Sequence, residues 1–310
     1  MATAFETIVL VTRKTRLAEL VERFNTRAQA KFYLEHAGGD FGDYEREDDA
    51  YRAALDAARR AAELGLKIQM LDRALVPTTT FSRHDAVVAL GQDGLVANCA
   101  KYAGDQPILG VNPDPARFDG VLLPFAPETL RAGLAAVLEG RAKIRPVTLA
   151  EASLNDGQRL LAFNDFFVGA RTHVSARYRL SFGKTAESQS SSGIIVSTGA
   201  GSTGWLSSVF NMQAGVARAT GGAPGTPMRW AWEERRLAFV VREPFLSRHS
   251  GVDLAAGSIR DGEELRVESQ MPLNGVIFSD GVEADYLDFN AGSIARIGVA
   301  RSPARLVAAA

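Results

Sequence analysis

Cysteine is almost missing from this chain, and Cys99 is the only one. One thiol excludes a disulfide framework and a zinc site built from cysteines alone, and it points to a reducing, cytoplasmic compartment. An excess of either charge is missing too: 35 basic residues face 36 acidic ones, a formal net charge of −1. That balance offers no field for nucleic acid or an anionic membrane surface, so neither is expected as a partner. The four histidines, His36, His84, His173 and His249, share no metal-ligand spacing, and no residue is assigned to a metal. No apolar run approaches the ~20 residues of a membrane span. A strand-like run starts by Thr7, which leaves no room for a targeting leader in the sequence as it stands.

What is present is enough apolar residue, 46% of 310, for two domains or one large one. Residues 8–11 read as a buried strand. Leu17, Leu20, Val21, Phe24, Ala28 and Phe32 then share one helical face, with Gly38-Gly39 ending the helix. The stretch 40–49 carries six carboxylates at a spacing that fits no calcium loop, and it is expected to be a solvated loop. A second helix spans about 49–64, with Gly65 as its cap. Short apolar strands at 67–71, 86–90 and 108–112 alternate with helices, which predicts a parallel sheet in an α/β layer, closed by a helix over about 128–138. From Ile144 the texture changes. Segments 147–150, 166–169, 177–182, 193–197, 237–241 and 265–268 are short and rich in β-formers, as in an antiparallel sandwich. The serine patch 188–192 reads as a loop. The expected division is an α/β domain over 1–143, a mostly-β domain over 144–296, and a tail, 297–310, able to return to the α/β domain.

Three stretches carry chemistry. The buried run 86–90 enters Gly91-Gln92-Asp93-Gly94 and then a helix-capable segment. A strand, a glycine turn and a helix N-terminus let backbone N–H groups approach an anion, with Asp93 in reach of a ligand hydroxyl. The same four residues also serve as an ordinary strand-to-helix turn with a solvated acid. Asn164-Asp165 enters an apolar strand, either as a ligand-contacting pair or as an Asx turn. Residues 199–204, Gly-Ala-Gly-Ser-Thr-Gly, match the glycine fingerprint of dinucleotide-binding folds and precede a stripe of Trp205, Val209, Met212 and Val216. No acid occurs between Gly193 and Glu233 to take a ribose, and no lysine follows the glycines, so neither a Rossmann site nor a Walker loop fits. What remains is a small-residue loop with Gly201, Ser202, Thr203 and Gly204, suited to a ribose or a phosphate.

In this order, with Ser279-Asp280-Gly281 following, these stretches resemble the NAD kinase family and its pattern of GGDG, NE, a Gly/Ser/Thr loop and a late Asp-Gly. The likeness is greatest to its mitochondrial-type branch, through Gly110-Val111-Asn112-Pro113-Asp114-Pro115-Ala116-Arg117, through Ser191-Ser192-Gly193 with Ser197-Thr198-Gly199, and through Phe289, Asn290, Gly292, Ile294 and Ala295. It runs from about 85 to 295. The resemblance implies an α/β domain followed by a β-sandwich, and transfer of a phosphoryl group from ATP or polyphosphate to the 2′-hydroxyl of the adenosine ribose of NAD. By the same likeness Asp93 takes the place of the catalytic acid, with Gly91 and Gly94 shaping its turn. Asn164 and Asp165 take the place of the pair that contacts the dinucleotide. Gly201, Ser202, Thr203 and Gly204 line the adenosine, and Trp205 stands where a tyrosine is frequent. Mg²⁺ would come with the donor phosphates, and a homodimer or higher homo-oligomer is implied.

Three positions depart from the pattern. Gln92 replaces a glycine, Leu95 a threonine and Asp165 a glutamate. If the turn needs a positive φ at Gln92, its side chain adds a strain of roughly 1 kcal/mol or more. Two alternatives therefore stay open: a nucleotide-binding sensor or subunit of weak catalytic power, and a lipid or sugar kinase sharing the GGDG-type turn.

Overall fold

The computed structural model describes residues 5–309. They divide into two compact units: the chain up to Arg145 together with the segment from Arg305, and Pro146–Ala304. The architecture is the one the periodicity predicts, an α/β unit with a largely parallel sheet and an antiparallel β unit.

In the first unit β1 (Thr7–Thr12), β2 (Lys67–Asp72), β3 (Asp85–Leu90), β4 (Pro107–Val111) and β5 (Ile144–Val147) form one sheet with the late strand Ala304–Val307. The order is β2, β1, β3, β4, the late strand, β5. β1 pairs in parallel with β2 and β3, β3 with β4, and β4 with the late strand, where Arg305 lies opposite Pro107. All six residues of β3 are buried, which explains why the central strands read as unbroken apolar runs: a parallel sheet is covered on both faces. Helices α4 (Asp93–Ala100) and α5 (Pro127–Leu138) follow β3 and β4.

The N-terminal helices differ from expectation in two ways. The single apolar stripe belongs to two helices, α1 (Arg16–Phe24) and α2 (Arg27–His36). Asn25, at φ +65°, ends the first, and Thr26 caps the second by accepting the Gln29 N–H at 3.2 Å. The acidic stretch is not a solvated loop. It forms the first turns of α3 (Phe41–Ala61), whose N-cap Asp40 accepts the Gly42 N–H at 2.9 Å. Glu47 and Asp48 are buried there, held by side chains of α1 and the β1–α1 turn. Acids suit the positive end of a helix, and arginine partners remove the cost of burying them.

The second unit contains two six-stranded antiparallel sheets. One has β6 (Ala150–Leu154), β7 (Arg159–Ala162), β9 (Ala176–Phe182), β10 (Thr185–Ser191), β14 (Leu265–Ser269) and β17 (Ile294–Val299). The other has β8 (Asp165–Ala170), β11 (Ile194–Ser197), β12 (Arg236–Val241), β13 (Ala256–Arg260), β15 (Gly275–Ser279) and β16 (Tyr286–Asp288). Their inner faces share one core, including Phe166, Val168, Ile194 and Phe239 from one sheet and Tyr178, Leu180, Val267 and Ile297 from the other. Helix α6 (Trp205–Ala219) covers β12 through Leu206, Ala238 and Val240.

Two readings are corrected here. Residues 188–191 of the serine patch are the second half of β10, paired residue for residue with β9, and the Ser191 hydroxyl bonds the Tyr178 phenol at 2.6 Å. Pairing with a neighbour, not local composition, makes it a strand. Residues 147–150 are no strand, because β5 ends at Val147, β6 starts at Ala150, and the Thr148 N–H between them goes to the Trp232 carbonyl at 2.8 Å.

Candidate active site

In the first unit, the chain leaves β3 at Leu90 and enters α4 at Asp93, with Gln92 as N-cap. Gln92 has φ −103° and ψ 168°, ordinary extended backbone, and is exposed, so its side chain brings no strain. The conditional cost attached to it does not arise. Gly91 sits under Leu95: a Cβ there would stand 2.9 Å from the leucine Cδ2. Leu95 is buried at 2% exposure and closes the turn from below, so this position packs instead of meeting solvent. Gly94 faces open space. The N–H groups of Gln92, Asp93 and Gly94 have no acceptor among the described residues, which leaves them for an anion.

Both oxygens of Asp93 accept backbone N–H groups, Oδ1 from Leu122 at 2.8 Å and Oδ2 from Val121 at 3.3 Å. The loop that supplies them, 112–123, is itself held. Asn112 donates its amide to the Phe118 carbonyl at 2.8 Å and accepts the Asp114 N–H at 3.0 Å. Arg117 forks onto Asp43 of α3 at 3.0 and 2.8 Å. Gly110 of β4 lies so near the Leu122 carbonyl that no side chain fits between them. The result is a cleft of about 520 Å³, lined by Gln92, Asp93, Gly94, Arg117 and Asp119 among others.

Behind the turn is a polar brace. The Tyr51 hydroxyl of α3 accepts the Arg13 N–H at 2.9 Å and donates to the Leu90 carbonyl at 3.2 Å, which ties the ends of β1 and β3 together. Burial pushes the Tyr51 phenol up. Arg13 donates to Glu47 at 3.0 Å, and Arg16 donates to the same carboxylate and to Asp43. Arg117 and then Arg16 hold the Asp43 carboxyl far below the usual carboxylate range. Burial acts to raise Glu47, but Arg16 and Arg13 outweigh it and the net shift is downward. Nothing local in the sequence marks Tyr51 or Glu47, whose partners lie 31–39 residues away.

In the second unit, Asp165 opens β8 and Asn164 precedes it. The late Asp280, at φ +54°, directs its carboxylate into this turn and accepts the N–H of Phe163 at 3.0 Å, Asn164 at 2.6 Å and Asp165 at 3.3 Å. Its own N–H returns to the Asp165 carbonyl at 2.9 Å. Asp280 therefore sets the backbone of the Asn-Asp pair, a role that its sequence motif leaves unstated. Oδ1 of Asp165 is buried with no hydrogen-bond partner among the described residues. Burial, and then the Asp280 charge, push the Asp165 carboxyl up to about 7, opposed by the Ser197 hydroxyl.

The small-residue loop lies beside this pair. Thr198 donates its hydroxyl to the Phe163 carbonyl at 2.6 Å and accepts the Gly201 N–H at 3.2 Å. Any side chain at Gly201 would run into the Asn164 backbone, so the approach requires glycine. Ser202 is buried and its hydroxyl turns inward to the Gly199 carbonyl at 2.7 Å. Thr203 and Gly204 are exposed. Trp205 stacks on Phe167 with centroids 5.8 Å apart and planes at 9°. Asn164, Asp165, Gly201, Ser202, Thr203, Gly204 and Trp205 thus gather at one end of the sheet, whereas Gly91, Gln92, Asp93 and Gly94 form the turn of the other unit.

No family model matches this sequence. The NAD kinase of Chlorobaculum tepidum is 30% identical over 138 residues, 43% of this chain and 46% of that protein. The NAD kinase of Chlorobium luteolum is 30% identical over 166 residues, 52% of each. The chain spans about half the length of the curated relatives it matches. Among solved structures, a yeast NADH kinase complexed with NADH superposes over 98% of this chain and 84% of its own, with a TM-score of 0.55 and 16% identity. An NAD kinase from Archaeoglobus fulgidus in complex with ATP covers 98% and 93%, with a TM-score of 0.54 and 16% identity. At that identity the likeness shows a shared fold: an N-terminal parallel-sheet α/β unit followed by antiparallel β-sheets.

Proposed function

We propose that this chain is an NAD(H) kinase-like phosphotransferase, moving a phosphoryl group from ATP or another phosphate donor to the 2′-hydroxyl of the adenosine ribose of NAD or NADH. The observation that carries the proposal is Asp93: a backbone-held carboxylate on the first turn of α4, beside unpartnered N–H groups, directly after a fully buried parallel strand. The similarity to curated NAD kinases supports it, and the 110–117 and 191–199 stretches lead us to place the chain near the mitochondrial-type branch.

In this reading the ribose oxygen attacks the terminal phosphorus of the donor, the new O–P bond forms as the bridging P–O bond breaks, and the shortened donor leaves. Asp93 orients the hydroxyl and accepts its proton late, since each carboxylate oxygen keeps a second lone pair beyond the one that Val121 or Leu122 engages. The N–H groups of Gln92, Asp93 and Gly94 take phosphate oxygens. Phosphoryl transfer needs little covalent help, so positioning and charge stabilisation supply most of the rate. Mg²⁺ on the donor phosphates would supply charge neutralisation, and Asp119, exposed on the same cleft and without a hydrogen bond among the described residues, is the carboxylate that would hold it. In the second unit, Asn164, Asp165, Gly201, Ser202, Thr203, Gly204 and Trp205 are the proposed dinucleotide contacts, Ser202 through its backbone. A reducing cytoplasm suits the buried Cys99, whose thiol burial pushes up to about 12. A homodimer or higher homo-oligomer belongs to the same proposal, supported by the exposed Met212 and Val216 of α6.

The test is direct. Purified protein with NAD, Mg²⁺ and ATP is expected to form NADP, and Asp93→Asn to lower the rate by about 10²–10⁴ while NAD affinity stays within about twofold. Saturable NAD binding without NADP formation from any nucleoside triphosphate or polyphosphate would overturn the kinase reading and leave the sensor. No binding of NAD at all would leave a lipid or sugar kinase.

A further inference from the structure

The ladder between β1 and β3 ends in a substitution. In its parallel register Thr7 lies opposite Asp85 and Val11 opposite Ala89, and at the lower end the Thr7 N–H bonds the His84 carbonyl at 3.3 Å. Carried on in the same steps, the register sets the Arg13 N–H against the Leu90 carbonyl. Between these two groups stands the phenol of Tyr51, accepting from Arg13 at 2.9 Å and donating to Leu90 at 3.2 Å. The place is the one where the winding of the sheet reverses. With the order β2, β1, β3, β4 the chain leaves β1 to one side and β3 to the other, and a doubly wound sheet opens a ligand crevice at the carboxyl end of that gap. Here a buried side chain of the protein fills it. The peptide joining Leu90 to Gly91 is thereby held from both sides, its carbonyl by Tyr51 and its N–H by the Val111 carbonyl at 3.1 Å. The free N–H groups of Gln92, Asp93 and Gly94 follow directly. Asp43, Glu47 and Tyr51 recur at four-residue steps and share one face of α3. Glu47 accepts the Arg13 side chain at 3.0 Å, so α3 grips that residue twice. Asp43 takes the fork of Arg117, from the loop whose N–H groups hold the Asp93 carboxylate. One face of one helix thus reaches the turn at its entry and at its acid.

We propose that Tyr51 is a positioning residue for the Gly91–Gly94 turn: its hydroxyl, inserted as the last rung, sets the direction in which Gln92, Asp93 and Gly94 present their N–H groups to the donor phosphates. A hydroxyl placed between an N–H and a carbonyl holds β1 and β3 farther apart at this end than a direct hydrogen bond would, and it leaves neither buried group unpaired. Tyr51 is 5% exposed, so it acts through the backbone and not on a substrate. Phosphoryl transfer tolerates little displacement, and a small rotation of the Leu90–Gly91 peptide is felt at the donor. The proposed NAD contacts belong to the second unit and do not depend on this rung. The proposal deepens the phosphotransferase reading and rests on it for the identity of the donor, whereas the hold of Tyr51 on the turn is measurable in the unliganded chain.

Steady-state kinetics of full-length Tyr51→Phe with Mg·ATP and NAD, together with amide exchange of the unliganded chain followed by NMR, is the test. Phenylalanine removes the oxygen alone and keeps the ring. The KM for ATP is expected to rise about tenfold, with the KM for NAD within about twofold of the wild type. The Gly91 amide is expected to exchange at least about tenfold faster, with Val87 and Ala89 of the same strand unchanged. Asp43→Asn, at the more exposed end of the same face, is expected to raise the KM for ATP about threefold. Wild-type constants in Tyr51→Phe overturn the proposal, and so does an equal rise in both KM values, which marks general damage. If Tyr51→Phe does not fold, wild-type constants in Asp43→Asn overturn it. If the wild-type chain forms no NADP, the phosphotransferase reading fails and exchange alone decides. Faster exchange confined to Gly91 then upholds the positioning role, and exchange that is unchanged, or raised along the whole of β3, overturns it.

Discussion

Asp165 shows how one residue's surroundings set its chemistry. In an unfolded chain its carboxyl titrates near 3.8, and in the fold near 7. Between those values the folded protein binds a proton that the unfolded chain has lost, so the contribution of this group to stability is greatest below about pH 4 and declines as the pH rises to about 7. Asp165→Asn removes that slope. The variant is expected to melt higher than the wild type at pH 8 and to converge with it near pH 4, at about 2–4 °C per kcal/mol recovered. Thermal melts across this range check it, and parallel curves for the two proteins would show that Asp165 ionises normally. The residue stands out in the sequence as a candidate through its place after Asn164. Its protonation does not, because the charge that opposes it, Asp280, lies 115 residues away. Gln92 is the converse case. It looks like a lesion beside a glycine-rich pattern, yet the backbone there is extended and accepts any side chain.

At the scale of elements, β1, β3 and β4 of the first unit were plain in the sequence because burial on both faces leaves a nearly uninterrupted apolar run. The first turns of α3 were not, since a helix start carrying six acids becomes intelligible only with Arg13, Arg16 and Arg117 in place. β10 was hidden for a similar reason: serine hydroxyls find partners only once β9 is alongside. In the proposed function these tertiary partners have a positioning role. Arg117 ties the loop that donates to Asp93 onto α3, so Arg117→Ala is expected to lower turnover about tenfold and to lower the melting temperature only slightly, because an ion pair that is still partly open to water adds at most about 1 kcal/mol. A loss of turnover restored by lysine at position 117 would assign it to charge alone and not to the fork on Asp43.

For the molecule as a whole, the two-unit plan follows from a change of texture near Ile144 that composition alone displays. The sequence leaves the tail able to return to the α/β domain but does not display the slot between β4 and β5 that Ala304–Val307 takes. Four residues after a long β-rich stretch carry no local sign of which strands they will pair with. Removing residues 304–310 would bare the edge of β4, all five of whose residues are buried. The truncated protein is expected to aggregate or to lose its cooperative melt, which size-exclusion chromatography and calorimetry would register. A monodisperse, fully active truncation would show that β4 and β5 close without it.

The same late strand sets an order of events during synthesis. Arg305 donates to the Asp105 carbonyl across 200 residues of chain, so the sheet beneath the Gly91–Gly94 turn stays unclosed until the second unit has been translated. Domains that fold as they emerge do so N-terminal first, at about 5–20 residues per second. Here the first domain to emerge is the last to be completed, and for those seconds one edge of β4 stays unpaired.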